Sequence, residues 1–172
     1  MKTTFVFLCL SALVAVEGFA DDSPAPAALS NAVIAWGKPV YGLKVGLYCE
    51  TTNTDSRKLP KIYFYVANNG DTEIPGIIQR GSECIVTVNG QHYAQSSLGG
   101  KSSAMPPGRK YGPIVIDTDG LRQIPELRAW HVPAIDPTAP RPELREGTNT
   151  LRVDYIRDKI LVASGEIQIV AK

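Results

Sequence analysis

Few residues in this 172-residue sequence could carry out catalysis. A nucleophile needs a base within hydrogen-bond reach, and the only histidines are His92 and His131. His92 follows the Asn89-Gly90 turn in an alternating stretch, which predicts a surface position on a strand, facing away from Val86 and Val88. The sequence contains no nucleophile elbow, zinc-protease helix or phosphate-binding glycine loop. We therefore expect no enzymatic activity, and a hydrolase using His92 or His131 is the weakest alternative.

The second histidine, His131, directly follows Trp130 at the start of a proline-rich stretch. Two interpretations are open for this pair. Trp130 and His131 could form a binding edge, or the indole could pack over one end of the core.

Neither of two metal patterns is complete. A copper site built from two His, one Cys and one Met would use Cys84, His92 and Met105, but these are too widely spread for the usual single ligand loop. The segment Asp117-Thr-Asp119-Gly120 resembles the start of a calcium loop, yet the remaining ligands are missing. An Asp/Gly turn after a strand explains that segment, and we expect neither a metal nor a cofactor.

The number and positions of the cysteines predict whether the protein contains a disulfide. Cys9 belongs to the leader described below, so the mature chain keeps Cys49 and Cys84. An even number of cysteines in an oxidising compartment favours a disulfide between them. Both are in phase with core residues on separate predicted strands, so two inert buried thiols are the main alternative and a reactive thiol the lesser one.

The first twenty residues have the pattern of a secretory signal peptide. Lys2 supplies the positive start, residues 5–16 form a short apolar stretch, and small residues precede a cut after Ala20. The apolar stretch is too short to cross a bilayer. We expect export to the periplasm or the medium, a flexible tether over 21–30, and a single domain over 31–172.

The charge of the sequence argues against nucleic acid as a partner. The formal net charge is +1 and stays +1 after Lys2 and Glu17 leave with the leader. The charges alternate in sign, whereas nucleic-acid binders gather basic residues on one face. The partner we expect is instead a protein or an envelope component of unknown identity.

Alternation of apolar and polar residues predicts the fold. Leu43, Val45, Leu47 and Cys49 share one phase, which is typical of a half-buried strand, and similar stretches recur along the chain. The Asn89-Gly90 dipeptide predicts a hairpin with a type I′ turn. Six to eight short strands without crossover helices indicate an antiparallel, immunoglobulin-like β-sandwich.

Two segments are less regular. One or two helical turns are expected where an apolar spacing of three residues precedes the proline-rich stretch, at Leu121, Ile124 and Leu127. In the last strand, we expect Leu161 and Ala163 on the same face as Ile167 and Ile169, and we expect a bulge or a bend at Gly165.

The stretch AWGKPVYGLKVGLYC, over 35–49, resembles the Trp-Gly-x-Pro-Val-x-Gly-Leu-x-x-Gly-Leu opening of secreted or membrane-attached β-sandwich domains of planctomycete-type bacteria. The later stretches VANNGD, PPGRKYGP, GTNTLRV and SGEIQIV are similar to that family as well, so the resemblance spans most of the mature domain. It implies a fold but carries over no catalytic residues, because these modules are mostly uncharacterised.

Together these patterns predict a secreted, noncatalytic β-sandwich that binds a protein or cell-envelope component. The alternative of a different class is a protease inhibitor. In that case the loop Met105–Pro113 would present a rigid, extended segment to an enzyme cleft, with its prolines lowering the ordering cost.

Overall fold

The computed structural model of the chain describes residues 33–78, 84–95, 102–125, 135–157 and 160–172. They all belong to one compact unit, Asn31–Lys172. These ranges contain thirteen strands and no helix, which confirms the predicted all-β class. In chain order the strands are β1 (Ala35–Trp36), β2 (Leu43–Cys49), β3 (Asn53–Thr54), β4 (Ile62–Asn68), β5 (Ile74–Ile78), β6 (Cys84–Val88), β7 (Gln91–Ala94), β8 (Ser102–Met105), β9 (Lys110–Ile116), β10 (Arg122–Ile124), β11 (Gly147–Arg157), β12 (Ile160–Ala163) and β13 (Ile167–Ala171).

The strands form two sheets and a small ribbon. Sheet A has the order β1-β2-β4-β9, and sheet B has the order β10-β7-β6-β11-β13-β3 with β12 also paired to β11. Strands β5 and β8 form the two-stranded ribbon. All pairings are antiparallel except that of β3 with β13.

One hydrophobic core fills the space between the two sheets. It combines buried residues of β2 and β4 from sheet A with buried residues of β6, β11 and β13 from sheet B. The rings of Phe64 and Tyr155 meet across it, with centroids 6.2 Å apart. This packing confirms the predicted β-sandwich, and the immunoglobulin-like topology stays a prediction.

The alternation in β2 is the clearest agreement between sequence and structure. Leu43, Val45, Leu47 and Cys49 are all buried in the core, as predicted. The turn at Asn89-Gly90 is confirmed too, because both residues have positive φ values, 51° and 79°.

The predicted helical turns are wrong. Residues Arg122–Ile124 form strand β10, which pairs with β7 in the register Ile124↔His92. Pro125 ends the segment before a helix could complete its hydrogen bonds, so pairing with a neighbouring strand satisfies the backbone instead. Leu127 lies outside the described residues.

The predicted phase of the last strand is wrong before Gly165. Val162 and Ser164 are the buried residues there, whereas Leu161 and Ala163 are half-buried. A break over residues 164–166 separates β12 from β13, which confirms the irregularity expected at Gly165. The sequence predicts six to eight strands, but the described residues form thirteen. The number is larger because such breaks divide strands and because several edge strands have only two or three residues.

Cys49 and Cys84 are both buried, and the disulfide favoured by the sequence does not join them. The two cysteines lie in different sheets, Cys49 on β2 in sheet A and Cys84 on β6 in sheet B. A bridge would have to cross the core between the sheets, and packed sheets lie about 10 Å apart, whereas a disulfide needs Cα atoms within about 7 Å.

The described residues contain no helix that is long and apolar enough to cross a membrane.

Candidate functional site

The outer face of sheet A carries aromatic side chains where a solvent-facing sheet usually carries polar ones. These side chains are out of phase with the core residues of the same strands, and none of them belongs to the core between the sheets. Two cross-strand rows hold them, one through Gly46 and one through the pair Tyr48↔Tyr63. We call this surface the aromatic face; it consists of Trp36, Tyr48, Tyr63 and Tyr65 with the flanking lysines Lys44 and Lys110.

Two glycines give the rings of the first row their space. A Cβ atom on Gly46 would lie 2.8 Å from Cε3 of Trp36, so the indole packs directly on the strand backbone. A Cβ atom on Gly112 would lie 2.7 Å from Cδ1 of Tyr65. The centroids of the Trp36 and Tyr65 rings are 6.4 Å apart, so the two rings are immediate neighbours.

Each of these rings has a lysine beside it. The Lys44 Nζ atom lies 5.3 Å from the centroid of Trp36, and the Lys110 Nζ atom lies 5.2 Å from the centroid of Tyr65. Both distances fall within the range of a cation–π interaction. The face therefore contains two similar units, each with one ring and one ammonium group.

The second row consists of the tyrosine pair Tyr48 and Tyr63. The rings of Tyr48 and Tyr63 have centroids 5.8 Å apart. Burial raises the pKa of Tyr65, and the nearby Tyr48 and Tyr63 raise it further. The Tyr65 phenol therefore stays protonated at neutral pH. A phenol can both donate and accept a hydrogen bond.

Parts of the aromatic face are accessible to solvent. Trp36 on β1 and Tyr48 on β2 are half-buried, whereas Tyr63 and Tyr65 on β4 are buried. Val115, which pairs with Tyr63, is 58% exposed. The strands of sheet A contain no Asp or Glu, so within them the two lysines have no carboxylate beside them.

His92 lies on the outer side of sheet B in a row of polar side chains. As expected it is out of phase with Val86 and Val88, but it is half-buried rather than fully exposed. Its Nδ1 atom is 3.0 Å from the Thr87 hydroxyl. Thr87 donates to Asp154 Oδ2 at 3.2 Å, and Arg152 pairs with the same oxygen at 3.1 Å.

The directions of these hydrogen bonds decide whether His92 could act as a base. Since the Thr87 hydroxyl has one proton and donates it to Asp154, it accepts a hydrogen bond from Nδ1 of His92. His92 then acts as a donor rather than as the base that would activate Thr87. Asp154 is 3% exposed, and its pairing with Arg152 and Thr87 satisfies a buried carboxylate.

The other residues considered for metal chemistry have structural positions where the structure describes them. Among the described residues no group of three or more His, Cys, Asp or Glu side chains is arranged to hold a metal ion. Asp117 accepts a hydrogen bond from the Asp119 backbone N–H, as expected for a turn. Met105 is fully buried. Trp130 and His131 lie outside the described residues.

The loop proposed for protease inhibition forms a tight turn. Arg109 N–H donates to the Pro106 carbonyl, and Gly108 N–H donates to the Asn68 carbonyl. The buried Met105 fixes one end of the loop, and β9 begins at Lys110. The segment thus folds back on β4 instead of extending away from the domain.

One further concave surface has mixed charge. A groove of about 560 Å³ lies between the β7 residues Gln91 and Tyr93 and the segment 140–146. Three arginines and two glutamates line it: Arg57, Arg141, Arg145, Glu143 and Glu146. This balance of charges selects no single class of ligand.

The family-like motif has a structural explanation. Tyr41 and Gly42 form a tight turn with φ values of 47° and 79°, closed by mutual hydrogen bonds between Val40 and Leu43. The second glycine of the repeated Gly-Leu pair, Gly46, seats the indole of Trp36. The motif therefore contributes half of the aromatic face.

Comparison of the chain with family models, curated proteins and solved structures finds no match. The planctomycete-type resemblance stays a prediction. Sequence analysis also missed the aromatic face, although its signal was visible. Tyr48, Tyr63 and Tyr65 all occupy the phase that points away from the predicted core.

Proposed function

We propose that the chain is an exported, noncatalytic β-sandwich module that binds a protein or cell-envelope component through the aromatic face. One observation carries the proposal. On the outer side of sheet A, the half-buried Trp36 and Tyr48 and the exposed Val115 reach solvent beside two lysines, and the strands of that sheet contain no carboxylate. Aromatic side chains with a polar tip are enriched where proteins bind partners, because they combine a large contact area with a hydrogen-bonding group.

The two sheets differ in what covers their outer sides. On sheet B, a second buried cluster made of Ile85, Ala94, Ile124 and Ile156 is already covered by the chain itself. On sheet A, Val115 and the half-buried rings of Trp36 and Tyr48 meet solvent. This difference favours sheet A as the binding surface.

The noncatalytic part of the proposal is supported by the polar row at His92. A hydrolase built on this histidine would need it to accept a proton from a nucleophile. The Thr87 hydroxyl instead donates to Asp154, and no other hydroxyl is placed against His92 by the contacts described above. Export to the periplasm or the medium is supported by the signal-peptide pattern of the first twenty residues.

Affinity capture tests the proposal. The immobilised mature protein is exposed to envelope and medium fractions of the producing cell, beside the variant Lys44→Gln/Tyr48→Ser. We expect the wild-type protein to retain a component that the variant loses. The matched control is Val170→Ser/Lys172→Gln, which changes one exposed apolar residue and one lysine at the far edge of sheet B.

Equal melting temperatures would show that the variants stay folded. Retention of the same component by the Lys44→Gln/Tyr48→Ser variant, or its loss from the control alone, would contradict the proposed surface.

A further inference from the structure

We propose that the aromatic face binds a second copy of this chain, with the two copies related by a twofold axis that runs across the strands of sheet A. This inference rests on the proposed function, since it names the partner of the same surface. The order of charged, aromatic and small side chains along that surface carries the inference.

One end of the aromatic face is positively charged. Lys44 and Lys110 both pair in register with Ala67, so they lie on either side of a small, buried residue. We call these three residues the lysine row. The strands of sheet A contain no acidic residue, so nothing within them neutralises the two positive charges of this row.

The opposite end of the face carries two carboxylates. Glu50 directly follows β2, and its backbone N–H donates to the Lys61 carbonyl, so the pairing of β2 with β4 continues to this residue. Asp117 directly follows β9, one residue beyond the pair Ile62↔Ile116. Both acidic residues are exposed and out of phase with the core residues beside them. We call Glu50, Lys61 and Asp117 the acidic row.

A twofold axis across the strands brings the lysine row of one copy onto the acidic row of the other. Such an axis lays each strand of sheet A on the same strand of the second copy, in the opposite direction. Lys44 then faces Glu50 of the second copy on β2, and Lys110 faces Asp117 of the second copy on β9. The lysine of the acidic row faces the alanine of the lysine row. Sheet faces commonly pack with aligned strands, and this alignment pairs opposite charges at both ends.

The middle of the face suits the same arrangement. Tyr48 is half-buried and Val115 is 58% exposed, so both side chains can contact a partner. In the second copy, Tyr48 faces the Trp36 indole, which packs on Gly46. Val115 faces the part of β9 that contains Gly112, an exposed position without a side chain. The dimer therefore removes from water the apolar groups that the isolated sheet leaves exposed.

The dimensions of the face predict a weak dimer. Four rows along the strands and four strands across them correspond to roughly 20 Å by 14 Å. Interfaces at the small end of the known range are weak and transient. An acidic partner of another kind would match the lysine row alone and would bring its carboxylates against those of Glu50 and Asp117. A second copy is the partner that matches both ends of the face.

Sedimentation velocity on two charge-reversal variants tests the inference. Lys44→Glu and Glu50→Lys each place like charges opposite one another at both ends of the proposed dimer. Each variant alone should therefore self-associate at least about tenfold more weakly than the wild-type protein. An equimolar mixture of the two variants should associate nearly as well as the wild-type protein, because the facing charges on β2 are again opposite in sign.

The measurements extend to roughly 1 mM protein, since small interfaces can bind this weakly. The control Lys172→Glu reverses an exposed lysine just after β13 in sheet B and should associate as the wild-type protein does. Melting temperatures show whether each variant is folded. Restored association in the mixture would show the same for both reversed proteins.

A wild-type protein that stays monomeric over this range would overturn the inference. Unchanged association of the Lys44→Glu variant, or a mixture that associates no better than the separate variants, would overturn it as well. If the protein is monomeric but capture of another component still depends on Lys44 and Tyr48, the proposed function stands and only the identity of the partner fails.

Discussion

Gly46 shows how one residue determines the position of a functional side chain. Because Gly46 has no side chain, the Trp36 indole and the Ile34 side chain can both occupy the space where a Cβ atom would lie. A sequence pattern can mark such a glycine as unusual inside a strand, since glycine there signals a close approach. Only the structure shows that the approaching group is the indole of the candidate site.

The substitution Gly46→Ala should destabilise the protein by about 1–3 kcal/mol, because the new Cβ would lie 2.5 Å from Ile34 Cγ2 and 2.8 Å from Trp36 Cε3. Urea denaturation measures the free energy of unfolding. A double-mutant cycle with Trp36→Ala supplies the control. We expect Gly46→Ala to cost less once the indole is absent, whereas equal costs in both backgrounds would show that Trp36 does not pack on Gly46.

Burial of Cys49 makes stability sensitive to alkaline pH. Burial is the largest cause that raises the pKa of this thiol, from an ordinary 9.0 to about 11. Between these values the unfolded chain loses the thiol proton and the folded chain keeps it, so the free energy of unfolding falls as pH rises from 9 to 11. The contribution is on the order of 2 kcal/mol.

Unfolding measured from pH 8 to pH 11 on the wild-type protein and on Cys49→Ala tests this linkage. The difference in unfolding free energy between the two proteins should shift by about that amount across the range. A difference that stays constant would mean that the thiol ionises equally in both states. Cys49→Ala also controls for the other groups that titrate at high pH, since both proteins contain them.

The sequence predicted which side of its strand His92 occupies, but not all of its hydrogen-bond network. The alternation predicted that His92 faces away from Val86 and Val88, and the structure agrees. The Asn89-Gly90 hairpin places Thr87 opposite His92, so that partner follows from the predicted turn. Asp154 could not be predicted, because it comes from β11, whose pairing with β6 is long-range. The same holds for Cys49 and Cys84, whose separation depends on how the two sheets align.

At the scale of elements, buried asparagines connect strands and loops. Asn149 in β11 is fully buried, and its side-chain oxygen accepts hydrogen bonds from Asn89 Nδ2 and the Arg145 backbone N–H. Its amide nitrogen donates to the carbonyls of Arg145 and Gly147. One side chain thus holds the β6–β7 turn and the segment before β11 together.

We expect Asn149→Ala to lower the free energy of unfolding by about 3 kcal/mol, because it leaves several buried polar groups without partners. The control is Asn53→Ala, which removes an exposed asparagine side chain and should change stability by less than about 0.5 kcal/mol. Chemical denaturation of both variants provides the measurement. Similar small effects in both would show that Asn149 is not a structural connection.

Strands with regular alternation were predictable, and the interrupted ones were not. β2 alternates over its whole length, so its buried side follows from the sequence. The predicted burial of the residues before Gly165 was wrong, because the break between β12 and β13 changes which residues face the core. The helical prediction for the residues of β10 was wrong, because the pattern of three residues cannot distinguish a helical turn from an edge strand. Pairing with β7 decides between the two.

At the scale of the whole molecule, the two sheets divide two tasks. Sheet B buries both of its sides over much of its length, since β6 packs on the main core with Val86 and on the second cluster with Ile85. Sheet A buries its inner side, and on its other side Trp36, Tyr48 and Val115 reach solvent beside the buried Tyr63 and Tyr65. The domain class could be predicted from alternation, but this division could not, because it depends on which chain segments cover each sheet.

Lysine footprinting tests the aromatic face as the binding surface most directly. The protein is acetylated alone and together with the cell fraction that capture identifies, and modification at each lysine is measured by mass spectrometry. We predict that binding protects Lys44 and Lys110, while the exposed Lys58 and Lys172 react as before. Unchanged labelling of Lys44 and Lys110 in the bound protein, or protection confined to Lys58 and Lys172, would contradict the account.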